Sequence, residues 1–502
     1  MSEHFFRVRK VGEHWETEGL PSCHLGHELP AAQGNKPEGI FAQWSWDGSR
    51  LQVRNDRYGF YPLYYFARDG EIALSNSILK LIELGAPTEL DDAALAVFLR
   101  LGFFLGEDTA FRAIRAVPPD ASFEWKDGTL RVSGKLTIGK AAHYSRNEAI
   151  NGYISLFRAA IRRRIPPSED FAIPLSGGRD SRHILLELCE AGYRPRFCVT
   201  LRHFPPSNNT EAECASQVAA ALDLNHVILD QPESQFQAEF RKNVKTSFCT
   251  DEHPHFMVLA DYLEGKVRAA YDGIGGDILS AGLFLKTDLL ELYQAGRPSE
   301  LAGRLLGREA VLKGILRGEQ HRRLSRELAV HHLARELAKH ADAPNPVSSF
   351  YFWNRTRREI ALAPYSILKA VPVVYSPYLD HHLYDFLASL PGSMFLDQQF
   401  HTDTIAKAFP HFATTPYASK TPEVQNARHF RRYARELGRH FLGRYPSHFV
   451  RGSYVLPRLL RCLLDRDYSG AIAWLAPLTV YLLQLESVIN QPGAIFTTRR
   501  VG

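Results

Sequence analysis

The stretch Leu175-Ser176-Gly177-Gly178-Arg179-Asp180-Ser181-Arg182 decides the fold of this chain. Its small residues allow the backbone to approach a polyanion, and the helix predicted just beyond adds free N–H groups and a favourable dipole. A carboxylate at Asp180 repels phosphate, so its presence predicts a bridging Mg²⁺ ion. No GK[ST] ends the loop, which separates it from the Walker pattern. The alternative interpretation is a helix start that Ser and Asp side chains cap.

The segments on both sides of this stretch predict a parallel α/β unit, because short apolar runs alternate with helical periodicity. The expected strands are Phe171–Leu175, Arg196–Leu201 and His226–Leu229, and the expected helices are Ile150–Arg164, Ser181–Ala191 and Thr210–Leu222. Beyond Leu283 the chain is predicted to be mostly helical, with a proline-containing break at residues 341–349.

The first 135 residues predict a β-rich region. Turn signals at Asp47-Gly48, Asp69-Gly70 and Asp127-Gly128 separate alternating or aromatic runs, including Tyr58–Phe66. A short helix over residues 91–101 is expected to be capped by its first residue, an aspartate. The polar, glycine-containing segment of residues 133–147 predicts a boundary near residue 140, which gives domains of residues 1–140 and 141–502.

A second motif, Asp272-Gly273-Ile274-Gly275-Gly276-Asp277, follows about a hundred residues later. Three glycines before an acid predict a tight turn with an accessible carboxylate. Alone the motif fits any loop. Together with the first motif it predicts Asp180 and Asp277 as the two metal-binding carboxylates.

Composition excludes several classes of protein. The chain has 502 residues, 45% of them hydrophobic, and a net charge of +5, which is weak for nucleic-acid binding. Residues 301–340 hold nine Lys and Arg against four Glu, and residues 428–451 hold seven Arg against one Glu. Either solvated helix faces or a surface for an acidic partner would explain these two basic segments.

No apolar run approaches the roughly 20 residues of a membrane span. Six cysteines without a CxxC pair and no visible signal peptide favour a reduced, cytoplasmic protein.

The motifs resemble those of the asparagine synthetases and their relatives, the β-lactam synthetases, carbapenam synthetases and lasso-peptide cyclases. Residues 176–181 resemble that family's SGGxDS pyrophosphate loop, and residues 273–277 resemble its GxGxD loop. Pro377–Asp380 with Leu390-Pro391 resembles its PFLD and LP segment, and Lys420 stands where the family has a late lysine. In the N-terminal half, residues 56–65 resemble the family's RDxxGxxPLYY hairpin.

The resemblance implies an α/β protein with two domains. The N-terminal one is an αββα glutaminase-like (Ntn-type) domain, and the C-terminal one is an ATP pyrophosphatase (PP-loop, Rossmann-like) α/β domain with a helical extension. It also implies an ATP-dependent carbon–nitrogen ligase that forms an acyl-adenylate with release of pyrophosphate and then an amide. ATP and Mg²⁺ are the implied cofactors. The implied nucleotide-binding residues are Leu175, Ser176, Gly177, Gly178, Asp180, Ser181, Val199, Thr200, Gly273 and Gly275; Asp180 and Asp277 would hold the metal, and Lys420 would neutralise phosphate charge.

Two departures from the family change the expected chemistry. Position 2 is Ser2 where glutamine-using members have cysteine, and no RGPD or NGE segment appears in residues 1–135, so glutamine hydrolysis is not expected. Ile274 replaces the residue that helps deprotonate the amine. Glu359 is the candidate replacement by resemblance to the β-lactam synthetases, or it forms an ion pair with Arg355 or Arg358. His253 and His255 are alternative bases, or they have a packing role.

Three basic residues have open roles. Arg182 is expected to meet an acidic substrate or a phosphate, or to form a salt bridge to a neighbouring loop. Arg179 or Lys407 is expected to supplement Lys420, unless Lys407 is simply solvated. The partners expected are a small-molecule or peptide carboxylate and an amine donor, with a partner protein or homodimer possible, and neither nucleic acid nor membrane. Lasso-type macrolactam or β-lactam closure and capture of the acyl-adenylate by a non-amine nucleophile are the alternative functions.

Overall fold

The computed structural model of the chain describes residues 3–30, 37–166, 168–418, 426–444, 446–465 and 467–490. It has an N-terminal part with two antiparallel sheets and a C-terminal part with one parallel sheet and many helices. This is the mixed α/β architecture that the sequence predicts. Residues 134–145 form neither strand nor helix between the two parts. The exact division at residue 140 stays a prediction.

The N-terminal part is a pair of packed five-stranded sheets, with orders β2-β1-β7-β6-β8 and β10-β9-β5-β4-β3. The strands are β1 (Phe5–Val11), β2 (His14–Gly19), β3 (Ser22–Leu29), β4 (Glu38–Trp46), β5 (Arg50–Asn55), β6 (Tyr64–Arg68), β7 (Glu71–Ser75), β8 (Arg115–Ala116), β9 (Ser122–Lys126) and β10 (Thr129–Ser133). Alternate residues such as Phe6, Trp44 and Trp125 point between the sheets and form their core. The predicted turns at the three Asp-Gly pairs are confirmed.

Two helices accompany these sheets, α1 (Ile78–Glu83) and α2 (Asp92–Leu101). Helix α1 packs on β6 and β7, whereas α2 packs on a helix of the C-terminal part. The Asp91 side chain accepts a hydrogen bond from the Ala94 N–H at 3.0 Å, which confirms Asp91 as the cap of α2.

The aromatic run Tyr58–Phe66 differs from the expected strand, since β6 begins only at Tyr64. The buried Asp56 carboxylate accepts hydrogen bonds from the backbone N–H groups of Tyr58 and Phe60 at 2.9 and 3.2 Å, and these bonds fold residues 56–63 into a loop. Burial raises the pKa of Asp56 to about 6. Tyr58 is buried against Tyr384 of the C-terminal part, with ring centroids 5.1 Å apart. The loop therefore joins the two parts.

The C-terminal sheet is parallel throughout and has the order β13-β12-β11-β14-β15. Its strands are β11 (Phe171–Pro174), β12 (Phe197–Arg202), β13 (His226–Asp230), β14 (Ala269–Tyr271) and β15 (Val373–Tyr375). The chain winds outward from β11 to β13 and then returns to β14 on the other side of β11. Such a reversal of strand order opens a crevice at the carboxyl ends of the two adjacent strands. Both glycine motifs follow strands at this crevice.

The helices of the C-terminal part cover this sheet and extend beyond it. They are α3 (Arg146–Arg162), α4 (Asp180–Glu190), α5 (Thr210–Ala221), α6 (Gln235–Lys245), α7 (Phe256–Leu263), α8 (Gly276–Ser280), α9 (Thr287–Gln294), α10 (Pro298–Leu305), α11 (Glu309–Ile315), α12 (Gly318–Arg323), α13 (Arg326–Ala338), α14 (Pro346–Tyr351), α15 (His381–Ala388), α16 (Phe400–Ala408), α17 (Ala427–Leu442), α18 (Gly452–Leu464) and α19 (Ser469–Asn490). Two π-helical segments, Phe352–Ile360 and Ala363–Ile367, follow α14. Helix α3 begins four residues before its predicted start, because Ser145 and Glu148 form a capping box.

Helix α19 is long and apolar enough to cross a membrane by length and composition, within residues 472–490. However, 72% of that window is buried inside the protein, where α19 packs on α6 and α17. A buried location of this kind is that of a core helix.

Candidate active site

The first glycine motif forms a loop between β11 and α4, here named the SGG loop and taken to include the first residue of α4 (Ser176–Asp180). The hydroxyl groups of Ser176 and Ser181 lie 3.2 Å apart, and the Gly178 N–H donates to the Ser176 hydroxyl at 3.1 Å. The Gly177 N–H donates to a carboxylate oxygen of Glu211 at 2.7 Å, so the loop already binds an anion through its backbone. Helix α4 has no side-chain cap, which leaves its first N–H groups facing the crevice.

The second motif forms a loop between β14 and α8, here named the GIGGD loop (Gly273–Asp277), and it packs against Asp180. A Cβ atom on Gly273 would lie 2.7 Å from the Asp180 Cβ, and one on Gly276 would lie 2.6 Å from its Oδ1. Gly275 adopts the left-handed conformation with φ of 89°. The glycines are therefore required by close approach and by a turn, and they bring Asp180 beside Asp277.

The carboxylates of Asp180, Asp272 and Asp277 form one acidic cluster. Burial, together with the negative charge of Asp180, raises the pKa of Asp277 to about 7 and that of Asp272 to about 6. In addition, the Asp180 Oδ1 atom is buried without a hydrogen-bond partner. Mg²⁺ prefers oxygen donors, and a divalent cation would offset the repulsion between these carboxylates. The residues therefore fit a divalent cation beside the loop that is predicted to bind phosphate.

A further loop, residues 415–418, docks on the SGG loop. The buried Arg182 donates hydrogen bonds to the backbone carbonyls of Thr415 and Pro416 at 2.9 and 2.6 Å, and its guanidinium lies 3.9 Å from the ring centre of Tyr417. The Ala418 N–H donates to the Gly177 carbonyl at 3.0 Å. Arg182 therefore contacts a neighbouring loop, as one alternative expected, but through backbone carbonyls and an aromatic ring rather than through a salt bridge. Lys420, the predicted phosphate-neutralising lysine, lies outside the described residues.

The sequence model of asparagine synthase matches residues 152–409, which is more than half of the chain and contains both glycine loops. The chain belongs to the asparagine synthase family. A model described as a glutamine amidotransferase domain matches residues 22–134, which contain strands β3 to β10 of the two packed sheets.

A curated relative within the asparagine synthase family is "Asparagine synthetase [glutamine-hydrolyzing] 1" of Bacillus subtilis. The identity is 25% over 317 residues, which cover 61% of this chain and 49% of the relative. The match thus spans about half the length of that relative.

Three residues predicted to contact the nucleotide have buried side chains with internal partners. The Thr200 hydroxyl donates to the Leu175 carbonyl and lies 2.7 Å from Nε2 of His226, and the Leu175 N–H donates to the Val199 carbonyl at 2.8 Å. Leu175, Val199 and Thr200 are each at most 4% exposed. They hold β11 and β12 together beneath the crevice, and their predicted contact with the nucleotide stays a prediction.

Glu359 lies in the first π-helical segment, buried and paired with Arg355 at 3.3 Å. The alternative of an ion pair with Arg355 is therefore observed, in the interior rather than on the surface. Burial, with the neighbouring carboxylates of Glu252 and Asp251, raises the pKa of Glu359 well above its usual value. Arg355 also bonds Glu252 at 2.8 Å and attracts Asp277, so it connects this acidic group to the cluster of Asp180, Asp272 and Asp277. A catalytic role of Glu359 remains a prediction.

The other basic candidates have defined positions. His253 and His255 lie next to one another with ring centroids 5.9 Å apart, and burial lowers the pKa of both imidazoles, to about 4 for His255. Lys407 is exposed and donates a hydrogen bond to Asn147. Of its two predicted alternatives, supplementing Lys420 or being solvated, the second is the one observed. The Arg179 Nε donates to the Thr402 hydroxyl at 2.6 Å.

The sequence analysis gave no role in this site to three of its residues, Asp272, Arg355 and His401. Asp272 stands next to the glycine motif and could have been included on that ground. Arg355 lies in the charged segment Asn354-Arg355-Thr356-Arg357-Arg358-Glu359, whose pattern does not indicate which cation faces the crevice. His401 of α16 contacts Asp180 at 3.3 Å, and no local pattern marks it.

Proposed function

We propose that this chain is an ATP-dependent amide-forming ligase that activates a substrate carboxylate as an acyl-adenylate and couples it to an amine. The observation that carries the proposal is the contact of the SGG loop with the GIGGD loop, which places Asp180 beside Asp277 at the open N-terminus of α4. Membership of the asparagine synthase family supports the same reaction class.

In the proposed reaction, a carboxylate oxygen attacks the α-phosphorus of ATP, the bond to the β-phosphate oxygen breaks, and pyrophosphate leaves. An amine nitrogen then attacks the acyl carbon, the bond to AMP breaks, and the nitrogen loses a proton. A bound Mg²⁺ would neutralise negative charge on the phosphates. The Gly177 N–H and the first N–H groups of α4 would bind phosphate oxygens, with phosphate replacing the Glu211 carboxylate. Asp180 and Asp277 would hold the cation, and Lys420 would stabilise the leaving pyrophosphate.

Pyrophosphate release from ATP and Mg²⁺, measured across a library of carboxylic acids, tests the activation step. Asp180→Ala should abolish release, because the cation loses one of its two holders. Asp261→Ala is the matched control, since Asp261 is exposed and pairs only with Arg241 among the contacts described. Release that survives Asp180→Ala, or the absence of nucleotide binding in a calorimeter, would refute the proposal.

A pair of glycine substitutions tests the geometry of the same contact. The Cβ of Gly276→Ala would meet Asp180 Oδ1 at 2.6 Å and displace it, so we expect pyrophosphate release to fall at least about tenfold. Gly303→Ala in α10 meets no atom within 4 Å and should leave release unchanged. Equal activity of the two variants would contradict the role given to the contact.

The amine is proposed to come from the substrate, free ammonia or a partner protein rather than from glutamine. Supporting this, residues 1–135 contain no RGPD or NGE segment that would hold glutamine. We expect glutamine to add nothing beyond an equal concentration of ammonium. Glutamate formation that depends on Ser2 would overturn this part of the proposal.

The nature of the acceptor is the open part of the proposal. Ile274, buried at 4% exposure, offers no proton acceptor. Intramolecular closure to a macrolactam or β-lactam, as in natural-product biosynthesis, and capture by water, thiol or hydroxyl are the alternatives. Mass spectrometry of the product formed from each accepted carboxylate, with and without an added amine, separates these alternatives.

A cytoplasmic location is proposed because all six cysteines are unpaired thiols, as predicted.

A further inference from the structure

His401 of α16 lies directly behind the metal-binding carboxylate Asp180, with a side chain that is wholly buried. Its Nδ1 atom lies 3.1 Å from the Ser280 hydroxyl and 3.3 Å from Asp180 Oδ1. The imidazole thus joins the SGG loop to α8, which begins in the GIGGD loop.

The hydrogen bonds around His401 determine where its proton lies. The Ser280 hydroxyl donates to the Gly276 carbonyl at 2.7 Å, so towards His401 it can only accept. Nδ1 must therefore carry the hydrogen. On the other side of the ring, Nε2 lies 3.2 Å from Nδ1 of His183 and 3.3 Å from the Tyr153 hydroxyl, both of which can donate. His401 accordingly carries a hydrogen on Nδ1 and presents Nε2 to groups that can donate to it.

The Nδ1 hydrogen is aligned with the Ser280 hydroxyl, and Asp180 Oδ1 is a second acceptor 3.3 Å from Nδ1. Asp180 Oδ1 is buried and has no aligned hydrogen-bond donor, although the Asp180 side chain keeps 25% of its surface exposed. The exposed surface of the Asp180 side chain therefore belongs to its other atoms, which include Oδ2. Oδ1 therefore points inward to His401, and the rest of the carboxylate faces the crevice.

We propose that His401 is a positioning residue that holds Oδ1 of Asp180 inward through its Nδ1–H, so that the outward side of the carboxylate faces the cation of the metal–nucleotide complex. The inference rests on the proposed function of the site. Partners that orient a metal-binding carboxylate typically change metal affinity by about 10-fold to 100-fold when removed.

The test compares two amide substitutions of His401. His401→Asn keeps an N–H donor at the δ position, whereas His401→Gln moves it to the ε position. The affinity of each variant for Mn²⁺–α,β-methylene-ATP, followed by electron paramagnetic resonance, is compared with its affinity for the same nucleotide in EDTA. We expect His401→Gln to weaken the metal complex about 10-fold while metal-free nucleotide binding stays unchanged. His401→Asn should bind both forms as the unaltered protein does.

Ser280→Ala supplies the control, because it leaves Asp180 as the remaining acceptor for Nδ1–H and should not weaken the metal complex. Equal affinity of the Gln and Asn variants, or an equal loss in Ser280→Ala, would overturn the inference. An unaltered protein whose nucleotide affinity is the same with and without Mn²⁺ would overturn the proposed function itself, and this inference with it.

One measurement does not depend on the folding of the glutamine variant. A spectrum of the unaltered protein with ¹⁵N-labelled histidine, in which the His401 signals are assigned by their loss in His401→Asn, reports the tautomer. Hydrogen on Nδ1 supports the inference, and hydrogen on Nε2 would overturn it.

Discussion

The docking of the 415–418 loop on the SGG loop predicts a measurable consequence of removing one guanidinium. Arg182→Met retains the apolar stem of the side chain but removes the guanidinium, and with it two hydrogen bonds to backbone carbonyls, at 2.9 and 2.6 Å. A hydrogen bond that involves a charged group contributes about 1.5 kcal/mol at the lower end, so the pair contributes about 3 kcal/mol to docking. Because 1.4 kcal/mol corresponds to a factor of ten, the equilibrium constant for docking of the loop should fall roughly a hundredfold.

Hydrogen exchange reports this docking directly, since the Ala418 N–H is bonded to the Gly177 carbonyl only while the loop is docked. We expect peptides ending at Ala418 to exchange roughly a hundredfold faster in Arg182→Met. Arg194→Met is the matched control, because Arg194 also donates to two backbone carbonyls but is exposed. Unchanged exchange at Ala418 in a folded Arg182→Met protein would refute the reasoning, and so would an equal effect of Arg194→Met.

Two further predictions concern contacts outside the crevice. Asp380→Asn should lower the free energy of unfolding in urea by about 3 kcal/mol, because the buried Arg164 loses the closer of its two carboxylate partners, at 2.8 Å, and Arg163 loses the same partner. Asp385→Asn, which removes an exposed pair with Arg57, should lower it by less than about 1 kcal/mol, and similar losses in the two variants would contradict this. Asp108 raises the pKa of His332 through a contact of 2.6 Å. The stability from this pair is complete below about pH 6.5 and is lost as the pH rises through the raised pKa, a dependence that should vanish in His332→Gln.

The parts of the fold that follow from local patterns were predictable from the sequence. The strands β11, β12 and β13 occur within one or two residues of their predicted positions, because apolar runs flanked by glycine or polar turns are local signals. The Tyr58–Phe66 run was expected only as part of a β-rich region, and nothing in its own pattern reveals the loop before Tyr64, in which the Asp56 carboxylate accepts hydrogen bonds from the following N–H groups.

The site was predictable only in its loops. Asp180 and Asp277 lie together as expected, because each follows a parallel strand at the carboxyl edge of one sheet. His401 stands 221 positions after Asp180, and its role depends on a tertiary contact that no spacing encodes. Arg182 shows the intermediate case: a cation in the first turn of a helix is unfavourable without a partner, which indicated a contact but not whether a phosphate or a loop supplies it.

Because Ile274 cannot accept a proton, we infer that the proposed activation of the carboxylate and the proposed capture of the acyl group by an acceptor depend on different residues. The Ile274 N–H donates to Asp272 at 2.8 Å, so this position supports the turn that brings the carboxylates together without needing a side chain that exchanges protons. The groups proposed to bind phosphate and cation, on the SGG loop, the GIGGD loop and α4, do not use the Ile274 side chain. A second set of titratable groups is gathered around Arg355, where Glu252 and Glu359 pair with it. Because the two sets are joined through Arg355 and do not share side chains, we expect the proposed adenylation to tolerate the loss of the usual base, and the Arg355 group is where a replacement for that base is to be sought.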